Sequence, residues 1–387
     1  MNLAIFSRIK NLIILALAGV RFIFNGRADK KVEMPKKILI VYLGKLGDMV
    51  CATPLFRAIK IKYPDCRVCI AGNIVNKELL QGNSDVDEYF IYPPNFSEFF
   101  KLVKKEKFDF ACVAAPDFLT LAILYLAGVP CIAAPVIENG FSPYETRAYK
   151  IIRNFVITRP HRMGNYAVRE YLRLLEPIGI FSDNTKKYLY FSEAAEKSVK
   201  NFLRQNNINP DSDFIVGITP SAGNKIKEWP AIRFAKLADY ICEKYRAKVI
   251  IIGGKNDELE TKEMIGYLAP GTEIIDSTGR FNIEELKALV SKLKLFVSVD
   301  TGVIYIAEAF GVPTIDIIGP IDEKEQPPIG KLHKIVVAQR QKPELYVMNA
   351  RVYDEKEAKR QVDEITVEMV IKELDDLMRN IYPKNNL

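Results

Sequence analysis

Two kinds of pattern alternate along this chain. The run 37–43, KILIVYL, is apolar almost throughout and gives way to apolar residues at helical spacing over 49–62. The same alternation predicts strands at 66–71, 89–92, 108–114 and 129–134, with helices at 75–81, 96–105 and 118–127 between them. Runs without a polar face are what strands covered on both sides require, and parallel sheets flanked by helices are where such strands occur. A second set follows, with strands at 214–219, 248–253, 273–276, 295–299 and 314–318. Its helices are expected at 194–205, 231–245, 256–267 and 283–293, the last opened by Asn282 and Glu285 at capping-box spacing. The spacing therefore predicts an α/β chain of two doubly wound, Rossmann-like parallel-sheet domains. A length of 387 residues agrees, since a single core stops growing at roughly 250–300 residues.

Three stretches stand outside the alternation. Tyr171, Leu172 and Leu175 place a helix over 166–175, and the polar, aperiodic stretch 181–187 separates the two sets. The segment 139–160, rich in Arg, Tyr and Pro, reads as an irregular loop on the substrate side, and a last helix with no strand after it covers about 363–380. The expected division is 1–31, 32–185, 186–355 and 356–387.

Residues 1–31 are basic and apolar. Leu12 to Val20 is an apolar run that Arg21 interrupts before Phe22-Ile23-Phe24. It is too short to span a bilayer, which takes about 20 residues, and no small-residue cleavage site precedes the charges at 27–31. A helix lying among anionic headgroups on the inner face of the cytoplasmic membrane fits residues 1–27, the alternative being an extra helix packed on the protein surface. Over the whole chain 55 Lys and Arg face 48 Asp and Glu, a net charge of +7 that favours anionic partners; no nucleic-acid partner is expected. Cys66 and Cys69 form a CxxC without a second pair and with two histidines in the chain, so buried free thiols are expected and no metal site.

The chemistry-bearing residues sit at strand ends. Asp300-Thr301-Gly302 breaks the strand 295–299 and opens a short helix stopped by Gly311. Such a turn presents unpaired amides and the positive end of a helix dipole, which suits a phosphate. Gly302 lets a ligand come close, the alternative being that Asp300 is a simple helix cap. After the first strand, Gly44, Lys45 and Gly47 form a tight loop that leaves Asp48 at a helix N-terminus, as a base or as a cap. The loop 219–230 carries Ser221, Lys225, Lys227 and the chain's one tryptophan, Trp229, before Pro230 opens a helix. Asp257 and Glu258 follow Gly253-Gly254 at a place where ribose hydroxyls could be bound.

Together these loops resemble the bacterial heptosyltransferases of glycosyltransferase family 9. The resemblance runs from Lys36 to the C-terminus and rests on GKLGDMVCATPLFRAIKIKYP (44–64), HRMGNYAVREYLRLLEPIGI (161–180), PSAGNKIKEWP (220–230), GGKNDELE (253–260) and SVDTGVIYIAEAFGVPTIDIIGP (298–320). It implies a GT-B fold, its domains facing across a cleft, with the acceptor on the first, the nucleotide-sugar on the second and the last helix crossing back. It also implies Asp48 as the base, Lys227 near the donor phosphates, Asp257 or Glu258 at the ribose, and Asp300, Thr301 and Gly302 as the diphosphate turn. The family usually has histidine where this chain has Tyr305.

The activity this implies is inverting, metal-independent transfer, most simply of heptose from ADP-heptose to a lipopolysaccharide core or another lipid-linked glycan, without a cofactor. A donor such as a UDP-hexose or UDP-hexosamine remains open through Tyr305, with an epimerase of the same architecture less well supplied with histidines. A non-catalytic, membrane-bound glycan-assembly protein is the alternative of another class. Should Asp48 not serve as the base, Glu138 or Glu145 is the next carboxylate to consider.

Overall fold

Strands buried on both faces do form two parallel sheets, and they lie in separate compact units. A computed structural model describes residues 3–382 of the chain. The first unit holds Met1–Lys45, Ala52–Lys77 and Asn83–Lys186; the second holds Leu46–Cys51, Glu78–Gly82 and Lys187–Leu387.

In the first unit β1 (Lys37–Val41), β2 (Arg67–Gly72), β3 (Glu88–Ile91), β4 (Phe110–Val113), β5 (Cys131–Glu138) and β6 (Ile157–Arg162) form a sheet of order β3-β2-β1-β4-β5-β6. Every pairing in it is parallel. The chain reverses direction across the sheet between β1 and β4, so the loop after β1, which carries Gly44, opens at the point where doubly wound sheets bind ligands. That loop is fixed by two amides, since Asn73 Nδ2 and Asn76 Nδ2 donate to the Gly44 carbonyl at 2.9 and 3.0 Å.

The second unit contains β7 (Ile215–Thr219), β8 (Lys248–Ile251), β9 (Ile274–Asp276), β10 (Leu295–Val299), β11 (Thr314–Ile318) and β12 (His333–Val337), in the order β12-β11-β10-β7-β8-β9. These pairings are also all parallel, and the reversal falls between β10 and β7. The loops 219–230, 253–258 and 300–302 consequently leave the carboxyl ends of three neighbouring strands. One sheet face is sealed by Val216, Ile218, Val249, Ile251, Val297 and Ile315 in a continuous apolar core with Trp229 and Phe234. Each such side chain contributes about 1.5–3 kcal/mol on full burial.

Two strands that the sequence did not announce share a cause. β6 runs through the end of the segment expected to be irregular, and β12 was not expected at all. Both are edge strands whose residues are mostly half-buried, so neither shows the all-apolar pattern of a central strand. Pro160 is tolerated in β6 because one side of an edge strand has no ladder to maintain. The helix expected at 166–175 is Ala167–Leu172 followed by a 3₁₀ stretch, Arg173–Ile178, that contains Pro177.

The last helix is two, Glu355–Asp363 and Val367–Ile381, separated by a break where Thr366 caps the second. Its expected crossing to the first domain is not what its contacts show. Val370, Leu374, Leu377 and Met378 are buried in the second unit's own core, and Phe214 packs edge-on against Tyr382. The break has a partner: Trp229 Nε1 and Arg233 Nη1 both donate to the Ile365 carbonyl at 2.8 Å, tying these helices to the loop that carries Lys227. The six cysteines are free thiols, five of them buried.

Candidate active site

The helix after β10 is Gly302–Ala309, with Thr301 as its N-cap in extended backbone and making no side-chain cap bond. Helix geometry leaves the amides of its first turn without partners inside the helix. Thr301, Gly302 and Val303 are half-exposed, whereas Ile304 to Ala307 are buried. The amide end is therefore open to solvent while Ile304 to Ala307 are packed away from it.

Asp300 is not the cap of this helix; it organises the side chains beneath the turn. Its carboxyl is 7% exposed, and Lys227 Nζ donates to Asp300 Oδ2 at 2.7 Å and to the Asp300 carbonyl at 2.6 Å. Tyr305 Oη donates to the other carboxylate oxygen, Oδ1. The Lys227 ammonium has three donors, so one stays available to a ligand. The family resemblance implied Lys227 and Asp300 at one site, and the two side chains do pair. Tyr305 stands differently from the expectation: its ring is 4% exposed and its hydroxyl is engaged by Asp300 instead of being offered to a ligand.

The loop after β1 belongs to this neighbourhood through its last residues. Residues 46–51 cluster with the second unit, and the helix they open, Leu46–Lys62, begins two residues before Asp48. Asp48 is thus a half-buried member of the first helical turn and not the residue preceding it, which disposes of the simple N-cap reading. A Cβ on Gly47 would lie 2.7 Å from the Tyr305 ring and 3.1 Å from Gly302 Cα, and one on Gly302 would lie 2.6 Å from Leu46 Cδ2. Gly302 is consequently glycine because another backbone passes against it, whereas the sequence reading assigned it to ligand approach. That packing brings Asp48 beside the amide end of the helix. Lys45 is exposed and Gly44 half-buried.

Of the remaining candidate residues Ser221 is buried at 2% exposure, and the charged ones have local partners. Asp257 accepts the Gly254 N–H at 2.7 Å and closes the turn after β8, while Glu258 pairs with Lys262 at 3.4 Å on an exposed face. Lys225 is taken up by Glu228 at 2.9 Å and Glu260 at 2.5 Å. Glu138 and Glu145 pair with arginines of their own unit, Arg162 and Arg153.

Three ionisable residues near the turn escaped the sequence reading. Lys187 and Glu308 form an ion pair of 2.7 Å with side chains 1% and 9% exposed. Nothing local announces it, because the partners are far apart in sequence. Asp316 did carry a signal, a lone carboxylate between the isoleucines of the fully buried strand TIDII. It is 1% exposed, and neither carboxyl oxygen has a hydrogen-bond partner. Burial first, then the charge of Asp300, pushes its carboxyl well above the ordinary range, against the opposing pull of Lys227. A buried carboxyl with no donor stays protonated and neutral. The charge set under the turn is then Asp300 with Lys227, and Glu308 with Lys187.

A family model described as glycosyltransferase family 9 (heptosyltransferase) matches residues 97–351. Lipooligosaccharide heptosyltransferase 2 of Haemophilus influenzae is 25% identical over 356 residues, covering 88% of this chain and 99% of that protein. Among solved structures, a family 9 glycosyl transferase from Veillonella parvula superposes with a TM-score of 0.75 at 18% identity, covering 91% of this chain and 100% of that one. The Escherichia coli ADP-heptose lps heptosyltransferase II gives 0.70 at 18% identity, with 89% and 99% covered.

The neutral Asp316 has a consequence for stability. In the unfolded chain it ionises above about pH 4, whereas the folded chain keeps the proton well beyond that, so folding binds a proton in this window and stability falls as pH rises through it. Asp316→Asn removes the titration. The melting temperature of the variant minus that of the parent should be more positive at pH 7.5 than at pH 4.5. A difference independent of pH, read by thermal melts across that range, contradicts a protonated Asp316.

Proposed function

The chain belongs to glycosyltransferase family 9, and on that premise we propose that it moves heptose from ADP-heptose to a lipopolysaccharide-type acceptor in a single inverting displacement. The observation that supports the reading is the close packing of Gly47 on Gly302, which brings the backbone at Asp48 near the amides that suit a diphosphate. In this scheme Asp48 takes the proton from an acceptor hydroxyl as its oxygen attacks the anomeric carbon. The nucleoside diphosphate leaves from the opposite face. Its developing charge is met by the amides of Gly302 and Val303, the helix dipole and the third N–H of Lys227, so the scheme draws on no metal. The donor's base and sugar follow the relatives, whose names specify heptose and, for one, ADP-heptose. A UDP-sugar donor was favoured by Tyr305 alone, and that support lapses with its hydroxyl held by Asp300.

The acceptor is proposed to be lipid-linked and the protein to work on the inner face of the cytoplasmic membrane, through the helix Leu3–Asn25. One side of this helix is docked on the first unit: Ile14 and Ala18 are buried, Phe22 stacks on Phe155 at 4.6 Å, and Arg21 lies 5.7 Å from the Tyr125 ring centre. The opposite side is also apolar. Ile9, Leu12, Ile13, Ala16, Leu17, Val20, Ile23 and Phe24 are exposed. At 3.6 residues per turn they fill an arc of about 140°, with Arg8 and Lys10 just beyond its two borders. The helix contains no acidic residue. Among the described residues no helix is long and apolar enough to cross a membrane. An apolar stripe edged by cations suits a surface of anionic lipid.

Two experiments test this reading. Asp48→Asn should fold, bind ADP as the parent does, and lose at least about a hundredfold in heptosyl transfer. Near-parental transfer removes Asp48 from the mechanism. For the membrane, deleting the segment is a poor test because Ile14 and Ala18 help form the core. The full chain carrying Ile13→Glu, Leu17→Glu and Phe24→Glu should keep its melting temperature, since the three side chains are exposed, and should stop floating with phosphatidylglycerol vesicles. Undiminished flotation refutes the helix as the membrane contact.

A further inference from the structure

Asp300 poses an electrostatic problem for a diphosphate site. Its carboxylate is almost fully buried, sits directly under the turn, and holds the lysine that the ligand needs. A full negative charge there would both repel an incoming phosphate and keep the Lys227 ammonium to itself. Asp316, the next carboxyl in the same region, adds no charge because it is neutral. What remains is how the charge of Asp300 is shared.

We propose that Tyr305 is a positioning residue, whose buried hydroxyl takes one oxygen of Asp300 so that Lys227 is held by the other and shared with the diphosphate. The inference rests on reading the Asp300 turn as the diphosphate site. Three features of the geometry carry it. The two carboxylate oxygens are divided between two donors, Tyr305 Oη on Oδ1 and Lys227 Nζ on Oδ2. Lys227 is fixed a second time by the Asp300 carbonyl at 2.6 Å, which sets the direction of its remaining N–H. And Tyr305 is buried at 4% exposure, its ring packed against Gly47 in the space a Cβ there would need.

The hydroxyl suits this role because it is a neutral donor that keeps its proton. Burial, followed by the charge of Asp300, raises its pKa well above the ordinary tyrosine value. It satisfies Asp300 without adding a cation that would compete with Lys227, and without removing the carboxylate that orients the lysine. The hydrogen bond draws negative charge toward the buried oxygen and away from the ligand side. In the absence of the hydroxyl, Oδ1 would be a buried charged acceptor with no donor. The carboxylate would then turn both oxygens to the ammonium, at the expense of the phosphate.

A double-mutant cycle on the full chain tests this, with ADP as the probe and titration calorimetry as the readout. Tyr305→Phe keeps the ring that packs on Gly47 and deletes the hydroxyl alone. It should weaken ADP binding about tenfold and raise KM for the sugar nucleotide more than it lowers kcat. In a Lys227→Met background, where there is no ammonium to position, the same change should alter ADP affinity by less than about twofold. An equal loss in both backgrounds would mean that the hydroxyl acts on the fold and not through Lys227, and no loss in either would mean that it does neither; each outcome overturns the proposal. Should Lys227→Met by itself leave ADP binding unchanged, the diphosphate reading of the turn fails, and the positioning role with it.

Discussion

Two backbones meet where Gly47 passes Gly302, and there is no room for a side chain on either. Much of the site depends on that close approach. It places Asp48 at the amide end of the helix Gly302–Ala309 and closes the Tyr305 ring into a buried position. It also removes from water the carboxylate that holds Lys227. A methyl group at either glycine would have to displace Leu46, Tyr305 or main chain, so the two positions are bound to be small for reasons of packing alone. The arrangement of these groups is thus an outcome of how two turns fit together.

Electrostatics then decides which groups can be charged in so little space. Lys227 with Asp300 and Lys187 with Glu308 are paired at 2.7 Å, whereas Asp316 has no donor and stays neutral. Burying an unpaired charge costs far more than shifting a pKa, so the proton on Asp316 is the cheaper solution. A neutral Asp316 keeps the region under the turn from becoming strongly anionic, and an anionic ligand can approach. The loop bearing Lys227 is anchored from behind by Trp229 and Arg233 on the Ile365 carbonyl, so the lysine is presented from a rigid support.

Most of the central architecture was legible in the sequence because central parallel strands advertise themselves: KILIV, FACV and LFVSV are buried on both faces and can be little else. The edge strands were not legible. ITRPHR and HKIVV are half-exposed, and the first even contains a proline, so their pairing is decided by the neighbouring strand and not by their own pattern. The turn Asp300-Thr301-Gly302 could be found because strand ends and helix starts have local signatures, whereas only the family resemblance singled out Lys227 over Lys225. The Lys187–Glu308 pair could not, since only tertiary structure brings the two together. Tyr305 shows the limit most clearly. Its identity at that position was visible, but whether its hydroxyl faced a ligand or Asp300 depends on a packing contact with a glycine more than 250 residues earlier.

The central claim is that the amide end of the helix Gly302–Ala309 receives the diphosphate of a sugar nucleotide. A crystal structure of the chain with ADP tests it most directly. The account predicts the β-phosphate within hydrogen-bond reach, roughly 2.7–3.2 Å, of the Gly302 or Val303 amide and of Lys227 Nζ. ADP bound with its phosphates elsewhere, and Lys227 still held only by Asp300, would contradict it.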